Sequence, residues 1–381
     1  MITLILLIEL KTQNTQHKEM TKATIVNDYS FYRVSASRIQ KMPKIAQFLS
    51  EHGLGIDHDI EHLILAYDEC HQIIACGGIA GNVLKSIAIA DSLQGSGFSL
   101  KLMTELTNFA YELGRFSLFL FTKPENIKRF RQCGFHLIEK IGDKIAFMEN
   151  SPNRLSGYCR KLSEQNVIGE KIGSIVMNAN PFTKGHLYLV EQACEQCDWV
   201  HLFAVKEEGN AFPFADRLAM IRAGTAHFDN LTIHTGSEYI LSRATFPSYF
   251  IKDQKIINYV HTALDLKIFR HYIGPALGIT HRYVGSEPLC LVTQNYNNSM
   301  SQWLENEPDD SPVIEVIELD RRKHDAQPIS ASRVRKLLED NNMPLIRALV
   351  PKTTYSFLCQ HYLNSTLFMT QNKLSHASDA V

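Results

Sequence analysis

The sequence predicts an α/β protein: an α+β domain over residues 25–150, then an open parallel sheet over residues 170–363. Three observations lead there. A chain of 381 residues is long enough for two or three domains. Residues 170–363 alternate short apolar runs with helical patterns, as successive strand–helix–strand units do. Between the zones, residues 151–169 are polar, contain Pro152 and Gly157, and read as a linker. The polar tail, residues 364–381, is expected to be flexible.

Composition removes several classes. Hydrophobic residues make up 45% and charged residues 21%, which excludes collagen, long coiled coil and wholesale disorder. Lys+Arg number 39 against 40 Asp+Glu, so the basic excess of a nucleic-acid binder is missing and no nucleic-acid partner is expected. No run reaches the ~18 apolar residues that span a bilayer, so no membrane association is expected. The apolar start, residues 1–10, lacks a basic flank and a small-residue cleavage site. It reads as a strand, or as residues upstream of a start at Met20, rather than as a signal peptide. Eight cysteines are too few for a disulfide scaffold in a chain this large. The expectation is a reduced, cytoplasmic enzyme.

In the first domain, residues 69–80 suggest a strand with a bulge, and residues 86–90 a second strand. The second runs into Gln94-Gly95-Ser96-Gly97-Phe98-Ser99 and a helix through Leu100, Met103, Leu106 and Phe109. Glycines at 95 and 97 leave backbone N–H groups free to wrap a pyrophosphate at that helix N-terminus. A strand at 118–121 follows, then Thr122-Lys123-Pro124-Glu125-Asn126 and, further on, Gly134-Phe135. This order resembles the GNAT-type acetyltransferase fold. The resemblance implies that Gln94, Gly95, Gly97 and Ser99, with Asn126, bind a coenzyme-A-like thiol. Ser99 departs from the Gly or Ala usual at its position. No general base is evident.

In the second domain, strands are expected at 172–177, 199–205, 231–235, around 283–284 and at 313–319. Helices are expected at 185–194, 215–226, 253–266, 289–304, 332–339 and 353–363. The first strand enters Asn178-Ala179-Asn180-Pro181-Phe182-Thr183-Lys184-Gly185-His186. That spacing puts Thr183 and His186 at a helix N-terminus on the C-terminal edge of the sheet, where free N–H groups and the helix dipole favour an anion. Gly185 lets a ligand approach the backbone. After the last strand, Ile329-Ser330-Ala331-Ser332-Arg333-Val334-Arg335 opens another helix, with Ser332 expected as its N-cap and Arg335 as a forked phosphate donor.

Together these segments resemble the paired (H/T)xGH and ISxxxVR motifs of the nucleotidyltransferase superfamily, a Rossmann-like fold. The resemblance implies attack on the α-phosphate of ATP. His186 and Thr183 would act at the α/β-phosphates, and Ser330, Ser332 and Arg335 at the β/γ end. Asn180, Gly185, Gly285 (in Val284-Gly285-Ser286-Glu287-Pro288) and Arg217 (in Phe214-Ala215-Asp216-Arg217) complete the expected ATP site. ATP would bring Mg²⁺ as substrate. No protein-bound metal is expected: Cys194 and Cys197 have no second ligand pair and lie at a helix end, and the sixteen histidines show no ligand spacing.

An acetyltransferase-like domain joined to an α-phosphate-attacking domain, with Tyr296-Asn297, resembles the [citrate (pro-3S)-lyase] ligase family. That resemblance implies activation of acetate as acetyl-adenylate. The acetyl group then passes to the dephospho-CoA-type thiol of the citrate lyase acyl carrier subunit, with release of AMP and pyrophosphate. Two rival readings are a coenzyme-making adenylyltransferase of the pantetheine-phosphate type, and a non-catalytic nucleotide or CoA sensor. The first leaves residues 25–150 idle; intact His186, Ser330, Ser332 and Arg335 argue against the second.

Overall fold

The structure is a computed structural model. It describes residues 22–362 apart from 26–28, 40–41, 207–210, 242–245, 247–248, 252, 288–290, 307 and 309. The expectations for residues 1–10, Pro288 and the tail lie outside the described residues. The chain divides into two units, Met1–Arg154 with Thr245–Val260, and Leu155–Ala244 with His261–Val381.

The first unit runs β1 (Lys22–Ile25), β2 (Tyr29–Ser35), α1 (Pro43–Glu51), β3 (His62–Asp68), β4 (Ile73–Ala80), β5 (Val83–Ile89), α2 (Phe98–Glu112), β6 (Phe119–Thr122), α3 (Ile127–Gln132), β7 (His136–Ile141) and β8 (Ile145–Glu149). The strands form one sheet in the order β1-β2-β3-β4-β5-β6-β8-β7. Side chains alternate faces along a strand, so β3 feeds two cores. Ile64 and Ala66 pack with Leu102, Met103 and Leu106 of α2. Leu63 and Leu65 pack with Ile45, Phe48 and Leu49 of α1. Each buried Leu, Ile, Phe or Met among them contributes about 1.5–3 kcal/mol. Helix α2 lies so close to β4 that a Cβ on Gly77 would stand 2.5 Å from Leu106 Cδ1. The expected bulge is present as a register shift between Cys76 and Gly78.

The strands β5 and β6 are parallel, and they pair at Val83–Phe119 and Leu84–Leu120 before parting. Their C-terminal ends form the two arms of a V.

Residues 151–169, expected as a linker, contain α4 (Arg154–Ser163). Leu155, Tyr158, Cys159 and Leu162 stand at helical spacing, and Leu155 and Leu162 are buried. The expected bounds also differ at Thr245–Val260, a segment that returns to the first unit from far along the sequence.

The second unit continues β9 (Ile172–Met177), α5 (Lys184–Gln196), β10 (Trp199–Ala204), α6 (Phe214–Thr225), β11 (Leu231–Thr235), α7 (Gln254–Ile268, with its residues up to Val260 counted in the first unit), β12 (His281–Gly285), α8 (Leu291–Met300), β13 (Glu315–Leu319) and α9 (Ala331–Glu339), with two further helices at Met343–Leu349 and Lys352–His361. Five of its strands form a parallel sheet in the order β11-β10-β9-β12-β13, and a short antiparallel pair, Lys323–His324 with Gln327–Pro328, stands apart. The order reverses at β9, between β10 and β12, which makes the C-terminal ends of β9 and β12 the binding crevice of such a sheet. These two strands pair at Gly173–His281 and Ser174–Arg282 and then separate, a second V. Among the described residues no helix is long and apolar enough to cross a membrane.

Two histidines face each other inside this sheet. His201 Nδ1 lies 3.0 Å from His234 Nε2, and the Phe203 ring stacks on His234 at 4.6 Å. Burial pushes both pKa values down to about 4. Unfolded histidine titrates near ~6.5, so between these values the unfolded chain binds more protons than the folded one. The stability is complete above about pH 6.5 and is lost as pH falls toward 4, by roughly 1.4 kcal/mol per pH unit per histidine. Urea unfolding from pH 7 to 5 should therefore show a steeper decline for the wild type than for His201→Gln/His234→Gln; equal slopes would contradict this.

Candidate functional site

The first site forms at the C-terminal ends of β9 and β12. After β9 the chain turns through Asn178 and Ala179, whose φ of +48° is the left-handed region that a Cβ disfavours. Arg217 of α6 holds this turn. It is fully buried, and its Nη1 donates to the Asn178 carbonyl (2.7 Å), Asn178 Oδ1 (2.6 Å) and the Val205 carbonyl (3.1 Å). Its Nε donates to the Phe212 carbonyl at 3.1 Å. Arg217 was expected at the ATP phosphates; its guanidinium is instead turned inward onto protein acceptors. Asn180 is also engaged, its Oδ1 accepting from Phe212 N–H at 3.2 Å.

Thr183 is the N-cap of α5, with extended backbone, and its Oγ1 accepts from His186 N–H at 3.3 Å. The His186 ring closes the capping box: Thr183 N–H donates to Nδ1 at 3.0 Å. With Nδ1 accepting, the proton of the neutral ring resides on Nε2. Burial, helped by the positive charge of Arg321, lowers the His186 pKa to about 4. His186 is therefore a neutral donor at neutral pH, fixed at the positive pole of a 13-residue helix.

The second motif meets the first. A Cβ on Gly185 would lie 3.4 Å from the Ile329 carbonyl oxygen and 3.5 Å from Thr183 Oγ1, so the two helix starts touch through this glycine. Ser330, not Ser332, caps α9: Ser330 Oγ accepts from Arg333 N–H at 3.2 Å, and Ser332 Oγ donates to Ser330 Oγ at 3.2 Å. Arg335 reaches back to the first turn, its Nη1 donating to the Asn180 carbonyl at 2.9 Å. Gly285 ends β12 with open space where a Cβ would stand, and its carbonyl accepts from Asn297 Nδ2 at 3.0 Å. Beside it, Tyr296 donates to Asp265 Oδ2 at 2.5 Å.

Arg321 also stands near enough to His186 for its charge to act on the ring, and the sequence reading missed it. Its Nε donates to the Ser286 carbonyl at 2.7 Å and its Nη2 pairs with the buried Glu287 carboxylate. The signal was the charged run Asp320-Arg321-Arg322-Lys323 directly after the last strand, at the binding edge of the sheet.

The second site lies in the first unit, between the arms of the β5–β6 V. A cavity of about 630 Å³ is lined there by Gln94, Gly95, Gly97, Ser99 and Asn126, so the fold brings all five expected residues together. Gly95 (φ +81°) and Gly97 (φ +78°, the N-cap of α2) adopt backbone that favours glycine. Ile87, Ala88, Phe121 and Thr122 supply the arms, and Lys123 and Arg129 bring positive charge. Cys194 and Cys197 belong to neither site. Both are buried, and burial raises their pKa values, that of Cys194 to about 12.

Residues 172–358 match the family model described as the citrate lyase ligase C-terminal domain. A [citrate [pro-3S]-lyase] ligase of Escherichia coli (strain K12) is 51% identical over 338 residues, 88% of this chain and 94% of that protein. One of Klebsiella pneumoniae is 52% identical over 316 residues, 83% of this chain and 92% of its own. Among solved structures, Escherichia coli ElaA matches 32% of this chain and 99% of its own, at 14% identity and a TM-score of 0.28.

The bonds of Arg217 yield a test. Arg217→Ala strands buried carbonyls and should cost about 3–5 kcal/mol in urea unfolding. An unchanged stability with a raised ATP KM would instead make Arg217 a phosphate ligand.

Proposed function

The chain belongs to the citrate lyase ligase family, and from that premise we propose that its two units carry out successive half-reactions of one ligation. In the second unit, an acetate oxygen attacks the α-phosphorus of ATP in line with the departing pyrophosphate, giving acetyl-adenylate. In the first unit, the prosthetic thiol of the citrate lyase acyl carrier subunit takes the acetyl group and releases AMP.

The observation that carries this reading is the pair of helix starts, Thr183–His186 and Ser330–Arg335, touching at Gly185 and Ile329 beside the crevice. Negative charge grows on the α-phosphate oxygens as the carboxylate attacks. The Nε2–H of His186 and the N-terminus of α5 meet that charge with dipoles already in place. His186 is neutral, so the response involves no proton transfer. The Ser330 and Ser332 hydroxyls, the N-terminus of α9, Arg335 and Arg321 hold the β/γ end and steady the leaving group. Mg²⁺ enters with ATP, bound chiefly through its phosphates.

In the first unit, the N-terminus of α2 and the freed amides around Gly95 and Gly97 take the pyrophosphate of the thiol arm, with Lys123 and Arg129 nearby. The apolar arms of the V hold the pantetheine-like chain. A coenzyme-making adenylyltransferase would leave this cavity without a task.

Two variants separate the half-reactions. His186→Ala should stay folded and lose acetate-dependent ATP–pyrophosphate exchange by roughly 10²–10³-fold, the usual loss on removing one preorganised donor; wild-type exchange would remove His186 from the mechanism. Gly95→Val/Gly97→Val puts Cβ atoms at positive φ on the phosphate loop. It should keep exchange and lose acetylation of the carrier thiol. Loss of exchange with transfer intact would invert the assignment.

A further inference from the structure

The transfer step needs a thiolate, and an ordinary thiol, with a pKa near ~8.5, is only a few per cent ionised at neutral pH. Several groups in the cavity wall are unsuited to take the proton. Tyr249 lines the cavity, but its hydroxyl donates to the Phe121 carbonyl at 2.8 Å, and burial beside Asp57 and Asp59 holds its pKa well above the ordinary tyrosine value. Cys133 is kept in the thiol form by burial. Lys123 and Arg129 are cations suited to phosphate. Glu125 sits exposed between Lys123 and Asn126, on the phosphate-side turn.

His52 differs from these. It follows α1 directly, it lines the cavity, and its Nδ1 lies 2.8 Å from the Phe48 carbonyl oxygen. A carbonyl can only accept, so Nδ1 carries the proton and Nε2 of the neutral ring keeps its lone pair. One bond thus caps the helix and selects the basic tautomer. The chain beyond His52 is tied across the V. Ser86 of β5 donates from Oγ to the Gly55 carbonyl at 2.8 Å. Gly55 N–H donates to the Tyr249 carbonyl at 2.7 Å, and the Tyr249 hydroxyl reaches Phe121 of β6. Lys85, buried next to Ser86, is held by Asp57 at 3.1 Å and Asp59 at 2.7 Å. The tie closes the wedge where the strands part, and the segment carrying Tyr249 belongs to this unit.

We propose that His52 is the general base of the thiol transfer, and that the tied loop and Tyr249 position it at the reacting end of the cavity. The inference rests on the reading that this cavity holds the thiol arm. Nε2 accepts the thiol proton as sulfur attacks the acetyl carbonyl carbon. The S–C bond forms, the bond from that carbon to the phosphate oxygen breaks, and its electron pair leaves with AMP. The imidazolium then gives its proton to solvent.

The test uses the full chain, acetyl-adenylate as donor and citrate lyase with its prosthetic thiol deacetylated as acceptor. His52→Gln should transfer acetyl roughly 10²-fold or more slowly at pH 7, with the loss shrinking as pH rises above the thiol range near ~8.5. Added imidazole should restore part of the rate to His52→Ala. Circular dichroism and urea unfolding matching the wild type report that both variants are folded, the first unit included. Wild-type transfer rates in both variants would overturn the proposal. So would a loss that is constant with pH and unresponsive to imidazole, which would make His52 a helix cap alone. If Gly95→Val/Gly97→Val also transfers at the wild-type rate, the cavity reading itself fails, an outcome distinct from failure of His52 alone.

Discussion

Two parallel strands that pair for two residues and then part recur in this chain, and both candidate sites depend on that constraint. In the first unit the strands are β5 and β6; in the second they are β9 and β12. A parallel pair that separates gives up ladder hydrogen bonds, and each freed backbone group needs another partner. The separation is tolerable where side chains or a ligand supply one. Phe121 shows the side-chain solution, its carbonyl taken by the Tyr249 hydroxyl. In both units the chain leaving one arm of the V soon enters a helix whose N-terminus is short of acceptors. The same backbone geometry that opens the cleft leaves amides suited to an anion.

What distinguishes the two clefts is how their helix starts are finished. Helix α2 begins on glycines in left-handed backbone and has no side-chain cap, so its first amides remain for a phosphate. Helix α5 is closed by a reciprocal Thr183–His186 box, which uses one ring nitrogen and leaves the other as a donor. Around it, two arginines also fix the turn, the buried Arg217 and the half-buried Arg335. Arg217 and Arg335 bond to the carbonyls of Asn178 and Asn180, so the turn that presents His186 is set from α6 and from α9 together. A change in either helix would therefore move the first motif as well as its own.

Much of this is legible in the sequence because the deciding contacts are local. Strands at 172–177 and 231–235 have the expected bounds; the first, a buried central strand, reads as a largely apolar run. Thr183, Gly185 and His186 act within one helical turn, as do Ser330 and Ser332. The choice of Ser330 over Ser332 as cap turns on backbone angles that the residue type leaves open. The inward turn of Arg217 depends on acceptors at 178, 205 and 212, which fold around it only in three dimensions. Tyr249 is harder still: its partner is 128 residues away, and no periodicity marks the return of its segment. Helix α4 was readable at 155, 158, 159 and 162, but its polar composition and Gly157 look like a linker.

We propose one half-reaction for each cleft. Amide hydrogen exchange on the full chain tests this assignment most directly, once with a non-hydrolysable acetyl-adenylate analogue and once with dephospho-CoA. The adenylate analogue should slow exchange over 178–186 and 329–335, while dephospho-CoA should slow it over 87–99 and 121–126. Protection of one and the same set of segments by both ligands would contradict it.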